Sequence, residues 1–312
     1  MNEKPLVSVC MIAYNHEDFI AQAIEGVLMQ KTNFDLELVI GDDYSTDETR
    51  KICNEYKKEF PDKIRILERE RNLGMSANFA DTLEDCLGKY VALCEGDDYW
   101  TDPFKIQKQI DFLEKNTDFA ICFHNADVLD EETGNISKDF YPYRRGVAEF
   151  ADLLCGLYVP TASCVFRNNL FEQFPDFFYD YALDIILNLL NARHGKLKFI
   201  DETMSVYRSH RGNYTNSEGR LKQLTFVIDG ITRTRDYFHP FCNDEFDRFI
   251  ARVKSDIAFV HFDNGNNEFF ELSYTDILKE GVYLPSRTRL ALSFRHLISR
   301  SGFLSSWFRS LK

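Results

Sequence analysis

The sequence predicts an α/β fold, a mostly parallel sheet flanked by helices, followed by a helical C-terminal extension. Three observations carry this expectation. Short apolar runs alternate with amphipathic helical patterns through the first hundred residues, acidic pairs follow two of those runs, and the pattern becomes helical and charged after about Ser217.

Taken in order, Leu6–Ala13 is a nearly continuous apolar run, as expected of a strand covered on both faces. Ile20, Ala23, Ile24, Val27 and Leu28 then fall on one face of a helix. Leu36–Ile40 is a second strand. Ser45 and Glu48 have the Ser-x-x-Glu form of a capping box, opening a helix through Ile52, Tyr56 and Phe60. Lys63–Leu67 is a third strand, Ser76–Leu87 a helix and Tyr90–Cys94 a fourth strand. Sheets of this kind bind ligands at the carboxyl ends of their strands. Asn15, Asp42–Asp43 and Asp97–Asp98 are therefore expected along one edge, although far apart in sequence. Beyond them, Phe119–Leu129 reads as a strand turning at Glu132–Asn135, and Ala182–Ala192 as an apolar helix after Asp180. Pro240 and Pro285 break the later helical pattern. The chain divides into residues 1–215 and a helical extension, 216–312, ending in a basic amphipathic tail at 287–312.

With 312 residues, 44% hydrophobic and 14% aromatic, the chain can build a sizeable core. A net charge of −13 opposes nucleic-acid binding. No stretch approaches the ~20 apolar residues that cross a bilayer, and the start of the chain lacks a basic leader region. A cytoplasmic protein is expected, with contact to the inner face of the cell membrane through its tail. The eight cysteines include no Cys-x-x-Cys pair and the seven histidines are scattered, so free thiols packed as small hydrophobes are expected rather than a zinc site or disulfides.

The carboxylates carry the chemistry. Asp42 and Asp43 stand between a strand and a helix, where they accept hydrogen bonds from a ligand or cap the helix. In Glu95-Gly96-Asp97-Asp98, three acids within four residues repel one another unless a cation or donor groups offset them. Mg²⁺ and Mn²⁺ suit such oxygen ligands and bridge readily to a diphosphate. The loop after the first strand, Ala13-Tyr-Asn-His-Glu17, has no glycine. That opposes both a dinucleotide-binding enzyme and a sugar nucleotidyltransferase.

Together, Val7–Asn15, Gly41–Asp47, Arg71-Asn-Leu-Gly74 and Glu95–Trp100 resemble, in order and spacing, the family 2 glycosyltransferases, across roughly residues 5–210. The resemblance implies a GT-A fold and inverting transfer of a sugar from a nucleotide-diphosphate sugar. By family habit the donor is a UDP-sugar, and the acceptor hydroxyl belongs to a carbohydrate or lipid-linked molecule of surface-polysaccharide synthesis. It gives Ala13, Tyr14, Asn15, Asp42 and Asp43 to the nucleoside pocket, with contact at Ala13 through backbone. Glu95-Gly96-Asp97 corresponds to the family's DxD motif, with Glu in first place, whose longer arm suits a ribose hydroxyl. Asp97, Asp98 and His210 are candidate ligands for Mn²⁺ or Mg²⁺, His210 alternatively donating to phosphate; Arg208 and Arg211 flank it with guanidinium forks suited to phosphate. Asp180, expected at a helix start, is the candidate catalytic base, with Asp184 one turn further on as the alternative. Thr161 and Ser163 are candidates for the acceptor side. Two other readings are a sugar nucleotidyltransferase and a nucleotide-sugar-binding protein without catalysis, the latter opposed by the joint presence of Asp97, Asp98 and Asp180. The tail has the profile of an interfacial anchor for anionic lipid, or of a helix docked on the protein's own acidic body.

Overall fold

The computed structural model describes residues 4–139, 145–168, 170–212, 219–279, 288, 291–293 and 295–296. Its strands are β1 (Val7–Ala13), β2 (Leu36–Asp42), β3 (Ile64–Glu68), β4 (Tyr90–Leu93), β5 (Tyr99–Trp100), β6 (Phe119–Asp130), β7 (Ile136–Ser137), β8 (Val147–Ala148), β9 (Val165–Arg167) and β10 (Lys196–Ser209). The helices are α1 (Ile20–Leu28), α2 (Thr49–Glu59), α3 (Met75–Glu84), α4 (Lys105–Lys115), α5 (Phe150–Leu154), α6 (Asp176–Asp180), α7 (Asp184–Ala192), α8 (Arg220–Phe238), α9 (Asn243–Asp263) and α10 (Asn267–Lys279). They fall into two compact units: Met1–Leu153 with Leu157–His210, and Leu154–Gly156 with Arg211–Lys312.

In the first unit one sheet runs in the order β3-β2-β1-β4-β9-β6-β10-β5. β3, β2, β1 and β4 are mutually parallel, as are β6 and β10; β9 is antiparallel to both its neighbours and β5 to β10. The chain leaves β1 for β2 on one side and returns to β4 on the other, so the strand order reverses at β1. A crevice for ligand is expected at the carboxyl ends flanking such a reversal. Register brings those ends level: Ala13 pairs with Asp42 across β1 and β2. Beyond β4, the acidic loop stays tied to β1, with Cys94 N–H donating to Cys10 O at 3.1 Å and Gly96 N–H to Ile12 O at 2.9 Å.

The core explains why these elements form. Val7, Val9 and Met11 of β1 pack with Ile20, Ala23, Ile24 and Val27, the apolar stripe of α1, as the helical spacing predicts. The predicted capping box is not made: α2 starts at Thr49 with no side-chain bond from its cap residue. Asp47 Oδ1 instead accepts from Thr49 N–H at 3.0 Å, while the Ser45 hydroxyl accepts from Asn15 N–H at 3.0 Å. Ser45 thus bridges the loops after β1 and β2 rather than serving its own helix.

Helix α3 lies against β2 at Gly41, just before the aspartate pair. Asn78 donates through Nδ2 to Gly41 O at 2.8 Å, and a Cβ on Gly41 would stand 2.0 Å from Thr82 Oγ1.

In the second unit Ala251, Ala258, Phe270, Ile277 and Leu292 form a small cluster. Most of the basic tail, including 297–312, lies outside the described residues. Where it is described, it is docked: Leu292 is buried, and Arg295 pairs with Asp263 at 3.5 Å and lies 4.1 Å from the Phe259 ring centroid. Among the described residues no helix is long and apolar enough to cross a membrane.

Gly41→Ala is expected to lower stability by about 1–3 kcal/mol, the cost of overpacking a tight core contact. Urea denaturation of the two proteins measures it.

Candidate active site

Two left-handed residues shape one side of the crevice. Asn15 (φ 56) follows β1 and Tyr44 (φ 62) follows β2, a conformation uncommon for non-glycine residues and unusual for a bulky one. The two loops hold each other, since Asn15 Oδ1 accepts from Thr46 N–H at 2.8 Å. Asp42 is fully buried, with Oδ2 accepting from Arg50 Nε at 2.7 Å and Oδ1 from Ser45 N–H at 3.3 Å. Asp43 accepts from Leu73 N–H at 2.7 Å and Gly74 N–H at 3.0 Å, one per carboxylate oxygen. Asn72 Nδ2 donates back to Asp43 O at 3.0 Å. The Arg71–Gly74 segment is therefore fastened to the aspartate pair, which gives a physical reason for the two motifs occurring together. Tyr14 and Tyr44, 46% and 45% exposed, present two aromatic rings beside these loops, the Tyr44 ring with the Arg50 guanidinium 5.4 Å from its centroid. Sequence reading missed Tyr44, because nothing in a pattern distinguishes an exposed ring there from a packed one.

On the other side of β1 stands the acidic loop. His210, just past β10, brings Nε2 to 3.1 Å from Asp97 Oδ2, and His16 Nε2 lies 3.9 Å from the same oxygen. Burial works to raise the Asp97 carboxyl, but the His210 hydrogen bond and the His16 charge prevail and hold it below its ordinary value. His16, which sequence reading missed, is depressed chiefly by burial, and its Nδ1 is buried without a hydrogen-bond partner. Gly96 makes room for this group: a Cβ there would meet Ile20 Cδ1 at 2.8 Å, and Ala13 Cβ and His16 Nδ1 at 3.0 Å.

Asp98, expected to bind metal, is instead directed into the fold. It is buried, and its Oδ1 accepts from Arg208 N–H at 2.9 Å; burial first, then the neighbouring Asp97 and Glu95 charges, push its carboxyl well up. Among the described residues no group of three or more His, Cys, Asp or Glu side chains is disposed to hold a metal ion. Arg208, expected to face phosphate, is likewise committed inward: Nη1 donates to Asp97 O at 2.9 Å, Nη2 donates to Gln22, and Glu131 pairs with Nε at 2.6 Å. It clamps the acidic loop to β10. Burial, with the Asp97 and Asp184 charges, pushes Glu95 up to about 8.

The expected helix-starting acid is Asp184 rather than Asp180. Asp180 is the last residue of the short helix α6 and is exposed. Asp184 opens α7, with Oδ1 accepting from Ile185 N–H at 2.6 Å and Oδ2 from the Thr161 hydroxyl at 3.0 Å. Burial raises its carboxyl against these two donors. Ser163, expected toward an acceptor, is fully buried and donates to Pro160 O at 2.6 Å.

The carboxyl edge of the sheet thus brings together an acidic loop with converging imidazoles beside the strand-order reversal, in a unit that also holds a carboxylate at a helix start. The profile of glycosyl transferase family 2 matches residues 8–173, more than half of the chain, and the chain belongs to that family. It is 38% identical over 207 residues to the uncharacterized protein Rv1520 of Mycobacterium tuberculosis, covering 65% of this chain and 59% of that one. The chain thus spans under two thirds of the length of its mycobacterial relatives. An uncharacterized glycosyltransferase of Haemophilus influenzae is 30% identical over 230 residues, 70% of this chain and 69% of the relative. Among solved structures, S. aureus TarS in complex with UDP-GlcNAc superposes with a TM-score of 0.64 at 15% identity, over 98% of this chain and 92% of that chain. The mannosyltransferase PcManGT from Pyrobaculum calidifontis, in complex with GDP-Man and Mn²⁺, gives 0.55 at 14% identity, over 96% and 89%. The fold is the GT-A fold that the motifs implied, with a helical C-terminal region.

Asp43→Ala removes the acceptor of two backbone N–H groups. It is expected to destabilise the protein by about 1–3 kcal/mol and to raise hydrogen exchange at Leu73 and Gly74 selectively. Exchange mass spectrometry or NMR reads that directly.

Proposed function

We propose that this chain is an inverting, metal-dependent glycosyltransferase that moves a sugar from a nucleoside diphosphate sugar, uridine being the favoured nucleoside, to the hydroxyl of a carbohydrate or lipid-linked acceptor. Catalysis is assigned to residues 1–215. The observation that carries the reading is the Asp97–His210 contact, which joins the acidic loop after β4 to the end of β10, in a unit that also holds the helix-starting carboxylate of Asp184.

The side chains support distinct tasks. Tyr14 and Tyr44 offer ring faces on which a base stacks, and the rigid Asn15–Ser45–Asp43 loops offer backbone groups to the nucleoside. Glu95 is assigned a ribose hydroxyl, which its longer arm suits. Asp97 and His210, with His16 behind them, would hold a divalent cation, for which a carboxylate and an imidazole are suitable ligands. When bound, such an ion neutralises charge on the departing diphosphate. Asp98 and Arg208 hold the loop in place rather than touching ligand.

Inversion requires one carboxylate to take the acceptor proton as its oxygen attacks the anomeric carbon opposite the leaving group. Asp184 is assigned that role in place of Asp180. Thr161 and Ile185 donate to it, fixing the carboxylate's orientation while leaving lone pairs for an incoming hydroxyl. Burial raises its proton affinity, and a base of higher pKa accepts a proton more readily.

Incubation with Mn²⁺ and a panel of nucleotide-sugars, reading nucleoside diphosphate release, tests the assignment. Release from one donor is expected, abolished by EDTA and by Asp97→Ala. Metal-dependent binding without turnover, even with acceptors supplied, marks a binding protein instead; no nucleotide binding at all overturns the donor site.

Asp184→Asn is expected to reduce turnover about 10²–10⁴-fold, the usual worth of a positioned base, with nucleotide affinity unchanged by calorimetry. Turnover should also fall as pH drops through the raised Asp184 pKa, because protonation removes the base. The acid limb of a pH–rate profile is therefore expected above the ordinary carboxylate value of about 4.

A further inference from the structure

Helix α4 buries an amine that the chemistry above does not use. Lys105 is 0% exposed, and burial pushes its ammonium down to about 7. The thiols of Cys94, Cys122 and Cys164 surround it, and its Nζ lies 4.1 Å from the Trp100 ring centroid. An apolar side chain would fill this space without the penalty of desolvating an amine. The amine has one acceptor here, Gln109 Oε1 at 2.9 Å, one helical turn on.

That bond fixes which way the Gln109 amide faces. With Oε1 turned to the lysine, Nε2 must meet acceptors, and it donates to Cys122 O at 2.9 Å and Ser163 O at 2.8 Å. Trp100 contributes a second hold, its Nε1 donating to Ala162 O at 2.8 Å. Two successive carbonyls of the one-turn 3₁₀ segment Thr161–Ser163 are thus gripped by buried side chains. The first residue of that segment supplies the hydroxyl that meets Asp184.

We propose that Gln109 and Trp100, with the Gln109 amide locked by Lys105, are positioning residues for Asp184, acting through the Thr161–Ser163 turn and the Thr161 hydroxyl. The inference rests on the reading of Asp184 as the base. A hydroxyl bond to a carboxylate weakens steeply with misalignment and favours the charged form while it lasts. Among the described residues, Glu95 and Cys164 are the titratable side chains whose charges interact with Asp184. With both unchanged, loosening the turn removes one of the two donors that oppose burial at Asp184, so its proton is held to higher pH.

The test is a ¹³C NMR titration of protein labelled at the aspartate carboxyl carbons, with the Asp184 signal identified by its loss in Asp184→Asn. Thr161→Val is expected to move the Asp184 midpoint up by about one pH unit, the scale of a single hydrogen bond to a charged group, and Thr161→Ser to restore it. Gln109→Met should shift the midpoint in the same direction. Combined with Thr161→Val it should add nothing further, since both act through one bond. If Gln109→Met does not fold, Trp100→Phe, which removes the indole N–H, replaces it. An unchanged midpoint in the folded variant, or a shift that adds to that of Thr161→Val, overturns the proposal. Titration requires no turnover, so it separates the two readings: an unmoved midpoint removes the buttress and leaves the transferase standing. An inert donor panel does the reverse.

Discussion

A carboxylate taken out of water must be neutralised, paired or hydrogen-bonded, and this constraint organises the first unit. Asp42, Asp43, Asp97 and Asp98 are all buried near one sheet edge, and each has its own remedy. Asp42 takes a guanidinium, Asp43 two backbone amides, Asp98 the amide of Arg208, and Asp97 an imidazole. These remedies reach to three separate segments of chain, Asp97 and Asp98 sharing the end of β10. Satisfying four acids therefore fastens the 71–74 loop, the start of α2 and the end of β10 to the carboxyl ends of β2 and β4. The crevice keeps its shape because its charges cannot otherwise stay inside.

Much of this was legible in the sequence. Continuous apolar runs in β1 and β4, with helical spacing between them, gave the parallel half of the sheet and placed the acids at its edge. The β9 strand went unread because three residues antiparallel between two longer strands leave no periodicity to detect. The Ser45–Glu48 signature pointed to a local cap, but Ser45 serves a tertiary contact to Asn15, and tertiary demand prevailed over local chemistry. Adjacent acids posed the hardest problem. Spacing cannot say which of Asp97 and Asp98 faces the crevice; side chains beside one another point in different directions, and only one meets the imidazoles. Asp180 and Asp184 differ in the same way. The sequence offers two acids near a helix start, and a second short helix, α6, consumes the first.

The cysteines and Lys105 illustrate the opposite case, in which reactive residue types serve as structure. Six of the eight thiols are buried, and burial pushes Cys53 and Cys122 up to about 12, where no thiolate exists at neutral pH. Lys105 shares that environment. Desolvation weakens its charge, but a neutral or charged amine alike donates to Gln109 Oε1, so the grip on the 161–163 turn does not depend on its ionisation.

Asp97 is buried and Asp184 half-buried, and although desolvation raises both carboxyls they are displaced in opposite directions. The difference lies in their partners. Two imidazoles face Asp97 and favour its anion, whereas a hydroxyl and one amide face Asp184 and do not fully offset burial. One fold thereby keeps an acid that stays ionised and an acid with appetite for a proton, the pair of tasks that the proposed transfer needs. Exchanging the partners would exchange the tasks, so the roles belong to His16, His210, Thr161 and Ile185 as much as to the aspartates themselves.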